Sequence, residues 1–435
     1  MLKFTTVSTV AVMVFSLTSA ASEPPKDQTA QDDRYIASNL PAARILTLQE
    51  AIRLALASDD PYLLAPGELA ASFDDRAIAD SQLPDPKFRV NVANLPLDSL
   101  SYSREPMTQL QLGLSQSFPR GDTLKFTREK RKAEARSERF RQDLRRREII
   151  LDTRINWLDL FYWTSADYKV RESRQAVAEL IEVIQAIFAT GRETSQDILR
   201  AELELSLLDD RLVDIDRHIK MVRAKLARRI GAAANTMHPG TSLPGMTHPS
   251  DVTVITDLLD QHPAAQIFAA RVDAADKDVG IAGEQYKPGW AVNVGYGARG
   301  GDRTDMASVG LTMDVPLFTK KRQDKKLSAA KSKRQASRLS RDTVLLDLRK
   351  GLESSFADWK QLQERVALYQ SVVVKRARDT TEASLTSYQS GVTDFPELVR
   401  ARLAELDAEL KLLSLSSDRL KAQAQLLYLE GEEDA

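Results

Sequence analysis

The chain contains no cysteine in 435 residues. A disulfide framework is excluded, and so is a lipid-carrying cysteine behind a leader. Charge of one sign is equally scarce. Sixty-one Lys and Arg offset 62 Asp and Glu, so nothing global favours nucleic acid as a partner. Long apolar runs are missing beyond the first segment, although a spanning helix needs ~20 such residues. No HExxH, Walker-A, nucleophile-elbow or zinc-type spacing occurs, and no constellation supports an enzyme. No cofactor is implied.

The first segment has Lys3, an apolar stretch from Val7 to Leu17, then Thr18-Ser19-Ala20-Ala21. It reads as a secretory signal over residues 1–21. Residues 22–45 are polar and proline-bearing and read as an extended N-terminal arm. A secreted, cysteine-free chain of this kind fits a Gram-negative periplasmic or outer-membrane protein.

What is present is a duplication. Phe188-x-x-Gly191-x-x-Thr194-x-x-Asp197-Ile198-Leu199-Arg200-Ala201 returns 200 residues later as Tyr388-x-x-Gly391-x-x-Asp394-x-x-Glu397-Leu398-Val399-Arg400-Ala401. Pro86-x-Phe88-x-Val90-Asn91-Val92 returns as Pro288-x-Trp290-x-Val292-Asn293-Val294. Repeats of this size set the architecture. The first spans residues 46–231, the second 256–430, with a linker at 232–255 and an acidic tail at 431–435.

Each repeat opens with two alternating segments, about 86–94 and 107–118, then 288–297 and 307–316. Apolar Phe88, Val90 and Val92 oppose Lys87, Arg89 and Asn91, and the other three segments alternate likewise. A half-buried soluble sheet gives the same pattern. Segment length, aromatics near the strand ends (Phe88, Phe118, Trp290, Phe318) and polar opposite faces favour a lipid-facing barrel. Its lumen would receive Arg89, Asn91, Gln111, Ser115, Asn293, Thr312 and Asp314. Four strands cannot close, and open edges cannot face lipid. Copies must therefore share the wall: eight strands fill their interior, whereas twelve leave a passage. The expected fold is mixed α and transmembrane β, four strands per protomer completing a 12-stranded trimeric barrel continued by an α-helical coiled-coil barrel.

After Pro119 and Pro316 come long helical patterns, about 121–190 and 320–390, each roughly 100 Å at ~1.5 Å per residue. They turn at Gly191 and Gly391. Thr194 and Asp394 read as N-caps with Asp197 and Glu397 three residues on. Returning helices follow at about 195–230 and 395–429. Their heptad-like seams are Leu208, Leu212, Ile215, Ile219, Val222, Leu226 and Val399, Leu403, Leu406, Leu410, Leu413. Segments at about 66–83 and 260–285 would fill the remaining length.

These residues resemble the outer-membrane efflux protein family, the TolC-like channels. The likeness runs from Leu46-Thr47-Leu48-Gln49-Glu50-Ala51 to Leu429. The stretch Leu83-Pro84-Asp85-Pro86 through Pro106-Met107-Thr108 looks like the branch paired with heavy-metal resistance-nodulation-division (RND) pumps. Some members of that branch carry a lipidated cysteine, absent here. The resemblance implies a homotrimeric outer-membrane duct, passive, joined to a periplasmic adaptor and an inner-membrane RND-type pump. Heavy-metal cations are the first expected cargo. Drugs or secreted proteins are the alternative, and a periplasmic coiled-coil adaptor or scaffold is a reading from another class. It also implies an adaptor-docking tip at Gly191, Thr194, Ser195, Gly391, Thr393 and Asp394, with Glu193 and Asp394 as a gate.

Two basic stretches follow the strands. Residues 120–148 hold twelve Lys/Arg against six acids, and residues 320–341 hold ten against one. Anionic headgroups or neighbouring carboxylates would match them; a plain solvated helix face would also carry them. Met237, His238, Met246 and His248 suit a soft cation in type, but lie in the Pro/Gly-rich linker and read as loop.

Overall fold

The computed structural model describes residues 44–188 and 195–431. The signal, almost all of the arm, the first tip turn and most of the acidic tail lie outside the described residues.

The element order is β1 (Ile45–Leu46), α1 (Leu48–Ala57), α2 (Pro61–Ala79), β2 (Lys87–Ala93), β3 (Gln109–Phe118), α3 (Thr123–Phe188), α4 (Ser195–Ile230), α5 (Ala233–Thr236), β4 (His238–Pro239), α6 (Val252–Leu258), α7 (Pro263–Glu284), β5 (Gly289–Arg299), β6 (Met306–Asp314), α8 (Gln323–Leu368), α9 (Val374–Gln389) and α10 (Phe395–Glu430). A π-helical segment, Tyr369–Val373, joins α8 to α9 without breaking the rod.

One order runs through the whole layer. The sheet is β2-β3-β5-β6, antiparallel throughout. Below it, α2 packs on α3, α3 on α7, and α7 on α8. Farther along the rods α4 packs on α3, α3 on α10, and α10 on α8 and α9. Thus α2, β2 and α4 form one edge, and β6, α8 and α9 the other. The two segments expected to fill the rods' length do so as α2 and α7. They are clamped by Arg131–Asp80 and Lys130–Asp278 at 2.8 and 2.7 Å, while Lys333–Asp278 at 3.1 Å ties α7 to α8. Gly280 admits the close approach of Phe126, since a Cβ there would lie 2.9 Å from the ring.

Position in this order explains burial. Edge helix α4 buries a single stripe of Leu208, Leu212, Ile215, Val222 and Leu226, and exposes Leu199, Leu203, Leu207 and Val213. Inner helix α10 buries Val399, Leu406 and Leu410 of its expected seam, leaves Leu403 and Leu413 partly buried, and also buries Leu398, Ala401, Leu415, Leu426 and Leu429, because it touches α3 and α8 together.

Two tryptophans mark the waist. Trp157 on α3 donates to the Leu46 carbonyl at 2.9 Å, holding the first segment in a core with Ile52, Ile149, Leu158 and Leu226. Trp359 on α8 occupies the matching place in the second repeat, with Ile255, Leu352 and Leu426.

Candidate functional site: the bare sheet and the helical tip

Register sorts the sheet into two faces. One carries Phe88, Val90 and Val92, then Leu110, Leu112, Leu114 and Phe118, then Trp290, Val292, Val294 and Tyr296, then Val309, Leu311 and Met313. Phe88 pairs with Leu114, Leu114 with Val294, and Val294 with Val309, forming an apolar row across all four strands. The other face carries Arg89, Asn91, Gln111, Ser115, Asn293, Thr312 and Asp314, together with Gly113, Gly295 and Gly310. The seven residues assigned to a lumen therefore share one face. Asn91 donates to Gln111 at 3.0 Å, and Asn293 to Thr312 at 2.9 Å. Asp314 does not stand alone: Arg120, from the turn before α3, reaches it at 3.3 Å and donates to the Gln285 carbonyl.

Among the described residues no helix covers the apolar face. Val309 is 81% exposed, and Phe88, Val294, Leu311 and Met313 are about half to two-thirds exposed. Strands β2 and β6 each have one pairing partner, so both sheet edges keep unsatisfied backbone groups. Among the described residues no helix is long and apolar enough to cross a membrane.

The aromatic placement differs from the expectation of aromatics at both ends. Phe118, Trp290 and Phe318 lie at the helix-proximal end, whereas Phe88, near the start of β2, is level with Leu114 and with Val294 midway along β5. Phe118 and Trp290 stack at 4.2 Å, and Phe318 is 90% exposed beyond β6. The distal end has Tyr296 and Tyr102 instead. Tyr102 donates to the Ala298 carbonyl and accepts from the Leu110 amide at 3.2 Å, and Tyr296 bonds Asp305. Tyr102 lies in the β2–β3 loop, where period-two alternation gives no signal. Six residues separate Trp290 from Tyr296, about 20 Å along a strand.

At the opposite end, Gly191, Glu193 and Thr194 lie outside the described residues, and Ser195 begins α4 exposed. The second turn is described. Gly391 has φ +74°, the left-handed region glycine tolerates. Asp394 caps α10, its Oδ1 accepting from the Glu397 amide at 3.3 Å. Phe395 is buried against Tyr388 and α3 residues Val177, Ile181 and Ile184. Thr393 helps line an open cavity of about 420 Å³ with Arg376, Asp379, Thr380 and Ser387.

Above that turn sits a charged knot the sequence did not reveal. Glu409 meets Lys169 of α3 at 2.6 Å and Arg378 of α9 at 3.0 Å. Arg378 and Arg402 also meet Glu405. Burial pushes the Glu409 carboxyl up, but the Lys169 and Arg378 partners outweigh it and hold the group below its usual range. The knot ties three helices whose sequence spacing exceeds 200 residues.

The linker's soft-ligand residues are otherwise engaged. Arg223 donates to the Met237 carbonyl and lies 3.2 Å from His238 Nδ1. His248 sits edge-on to Trp359. Among the described residues no group of three metal-binding side chains forms.

Comparison with known proteins gives a family match over part of the chain and one fold. The model of the outer membrane efflux protein family matches residues 254–432. No curated protein matches the chain in sequence. The outer membrane protein VceC from Vibrio cholerae superposes with a TM-score of 0.76 at 18% identity, covering 89% of this chain and 97% of that one. A membrane protein from Pseudomonas aeruginosa gives 0.78 at 15% identity, with 88% and 92% covered. The open state of the Neisseria gonorrhoeae outer membrane channel MtrE gives 0.72 at 16% identity, with 88% of each covered. The chain has the fold of these proteins.

Proposed function

We propose that this chain is the outer-membrane duct of a tripartite efflux system. Three copies pair β6 of one with β2 of the next, making twelve strands around a wet lumen. The helical layers join along the same edges to continue the passage as a coiled-coil cylinder. The observation that carries this reading is the bare sheet, with one apolar uncovered face and two unpaired edges. In water that face has no purpose, and in lipid those edges require partners. Three copies leave a hole where two would fill it. The exposed Leu199, Leu203 and Leu207 of edge helix α4 suit the same joint.

The protein's contribution is passive. An inner-membrane RND-type pump supplies the work and a periplasmic adaptor docks at the tip. There the Gly391 turn, the Thr393 cavity and Ser195 are presented, with Asp394 and Glu193 adding acidic groups at the mouth. Heavy-metal cations are the proposed cargo, a choice supported by the resemblance of residues 83–108 to the metal branch. The adaptor-scaffold reading leaves the apolar face unexplained.

Planar-bilayer recording tests the duct. Detergent-extracted protein should give discrete channel steps, with Asn293→Arg on the lumen face altering ion selectivity and Val294→Thr on the other face leaving it unchanged. A species extracted without detergent and giving no channel events would overturn the reading. Cargo is tested separately: cells lacking the chain should lose tolerance to metal salts before tolerance to drugs.

A further inference from the structure

The structure divides the basic stretch 320–341 in two. Three of its five distal cations are bound within the chain, Lys333 to Asp278 at 3.1 Å, Arg334 to Asp276 at 3.1 Å and Arg341 to Asp260 at 2.8 Å, all on or beside α7, while Lys331 and Arg338 are exposed. The proximal half has no such partners. Lys320, Lys321, Arg322, Lys325 and Lys326 are exposed, and none forms an ion pair among the described residues. The one acid among them, Asp324, accepts from the Tyr286 hydroxyl at 2.7 Å.

Next to these cations the apolar face runs on past its strand. Val309, Leu311, Met313 and Val315 alternate past the end of β6 at Asp314, and Leu317 follows a tight turn in which its amide donates to the Val315 carbonyl at 3.0 Å. Leu317 is 75% exposed and Phe318 is 90% exposed. The first repeat does not share this arrangement. Taking Pro119 and Pro316 as equivalent, Leu317 stands where the first repeat has Arg120. Arg120 is consumed by the Gln285 carbonyl and Asp314, while Phe118 is consumed by Trp290. Among the described residues, the exposed apolar pair Leu317 and Phe318 beside exposed cations is found in the second repeat and not in the first.

The geometry points to residues 315–326 as a docking site for anionic phospholipid headgroups at the helix-proximal boundary of the membrane. This rests on the barrel reading above. Leu317 and Phe318, exposed just past the end of the strand's apolar face, enter the acyl region. The five cations, within about two helical turns, meet phosphates at the surface. A lone aromatic anchors weakly, but apolar insertion combined with clustered Lys and Arg gives stable, charge-selective attachment. The same cations mark the depth at which the barrel stops.

Trp290 provides the readout, since the other tryptophans, Trp157, Trp163 and Trp359, lie on helices. Full-length protein is reconstituted into vesicles whose brominated acyl chains are carried by either phosphatidylglycerol or phosphatidylcholine, in a background of the unbrominated other. Trp290 should be quenched by both, and more strongly by the glycerol lipid. From the attraction each surface cation exerts, five of them favour the anionic headgroup by roughly tenfold or more at low salt. That preference should fall towards unity above ~0.5 M salt. Replacing all five cations by Gln should remove the preference while leaving quenching by either lipid. Trp290→Phe should abolish quenching altogether. Equal quenching by the two headgroups in the unaltered protein overturns the proposal, as does a preference that survives the fivefold change. A fivefold variant that keeps its lipid preference but falls apart in detergent would assign the cations to the neighbouring copy. Absence of quenching by any brominated lipid would instead strike the barrel reading itself.

Discussion

Val294 and Asn293 are adjacent on an inner strand, yet the account assigns them to different solvents. Val294 sits midway along β5, with Leu114 directly opposite on one side and Val309 on the other. Asn293 faces away and donates to Thr312. Arginine at Val294 would put a guanidinium near the middle of the apolar band. Such a substitution costs about 2–4 kcal/mol at the bilayer midplane, or about 6–12 kcal/mol for three copies. Arginine at Asn293 points into water, loses one exposed hydrogen bond and costs about 1 kcal/mol or less. If both faces met water, the two changes would cost alike, within about 1 kcal/mol. The assay is urea titration of protein folded into phospholipid vesicles, with the fraction of assembled oligomer in cell membranes as a second measure. Val294→Arg should lower the urea midpoint sharply and deplete the assembled form by 30-fold or more, at about 1.4 kcal/mol per tenfold. Asn293→Arg should leave both near the starting values. Equal midpoints for the two variants would refute the two-solvent assignment.

Other expectations concern the helical body. Asp60 is 3% exposed and holds Arg228 and Arg229 at 2.9 Å each, with Arg229 also bound to Asp152. Asp60→Ala should cost about 2–3 kcal/mol, less than a fully buried pair because Arg228 remains half in water, and thermal unfolding in detergent would show it. The Arg228 hydrogen bond, against the opposing effect of burial, holds that carboxyl below its usual range. Its contribution is therefore complete above pH ~4 and lost as pH falls further. His262 acts in the same direction, but at higher pH. It is 1% exposed, its Nδ1 accepts from the Ala264 amide, its Nε2 has no partner, and burial with Arg147 nearby lowers it to about 4. The folded state resists protonating it, so stability should fall by up to about 3 kcal/mol between pH 6.5 and 4. His262→Asn keeps the cap and should flatten that decline; an unchanged slope would exclude His262 as its source. Gly391→Ala forces a side chain into left-handed backbone with open space around it, and should cost about 1–2 kcal/mol from strain alone, measured as a lowered melting temperature.

The helical hairpins were legible because their signals are local. Asp394 and Glu397 mark the start of α10 by capping chemistry, and the Leu208-to-Leu226 stripe marks the buried side of an edge helix. The second buried stripe of α10 was not legible, since Leu398, Ala401 and Leu415 owe their burial to having a neighbour on each side. Strand faces were readable from period-two alternation, but not the levels at which residues sit. Phe88 and Phe118 read alike as strand-end aromatics; only register shows that Phe118 stands at the proximal end beside Trp290 while Phe88 stands level with mid-strand Val294, and that Tyr102 and Tyr296 serve the distal end. The links of Lys169 to Glu409 and of Arg378 to Glu405 and Glu409, and the Arg120–Asp314 bridge, join residues 27 to 240 positions apart with no pattern linking them. Charge counting found the basic stretch 320–341, whereas only coordinates separate cations held by α7 from those left free.

The most direct test of shared walls uses the absence of cysteine. Cysteines placed singly along β2 (Phe88, Val90, Val92) and β6 (Val309, Leu311, Met313) are combined in pairs, one on each edge, and the assembled protein is oxidised in its membrane. These edges lie on opposite sides of a four-strand sheet, roughly 14 Å apart at ~4.8 Å per strand, so one chain cannot bridge them itself. The account predicts that at least one register gives covalent dimers and trimers and nothing larger, with single-cysteine controls staying monomeric. A ladder ending at two chains, one running beyond three, or no bridging in any register would contradict it.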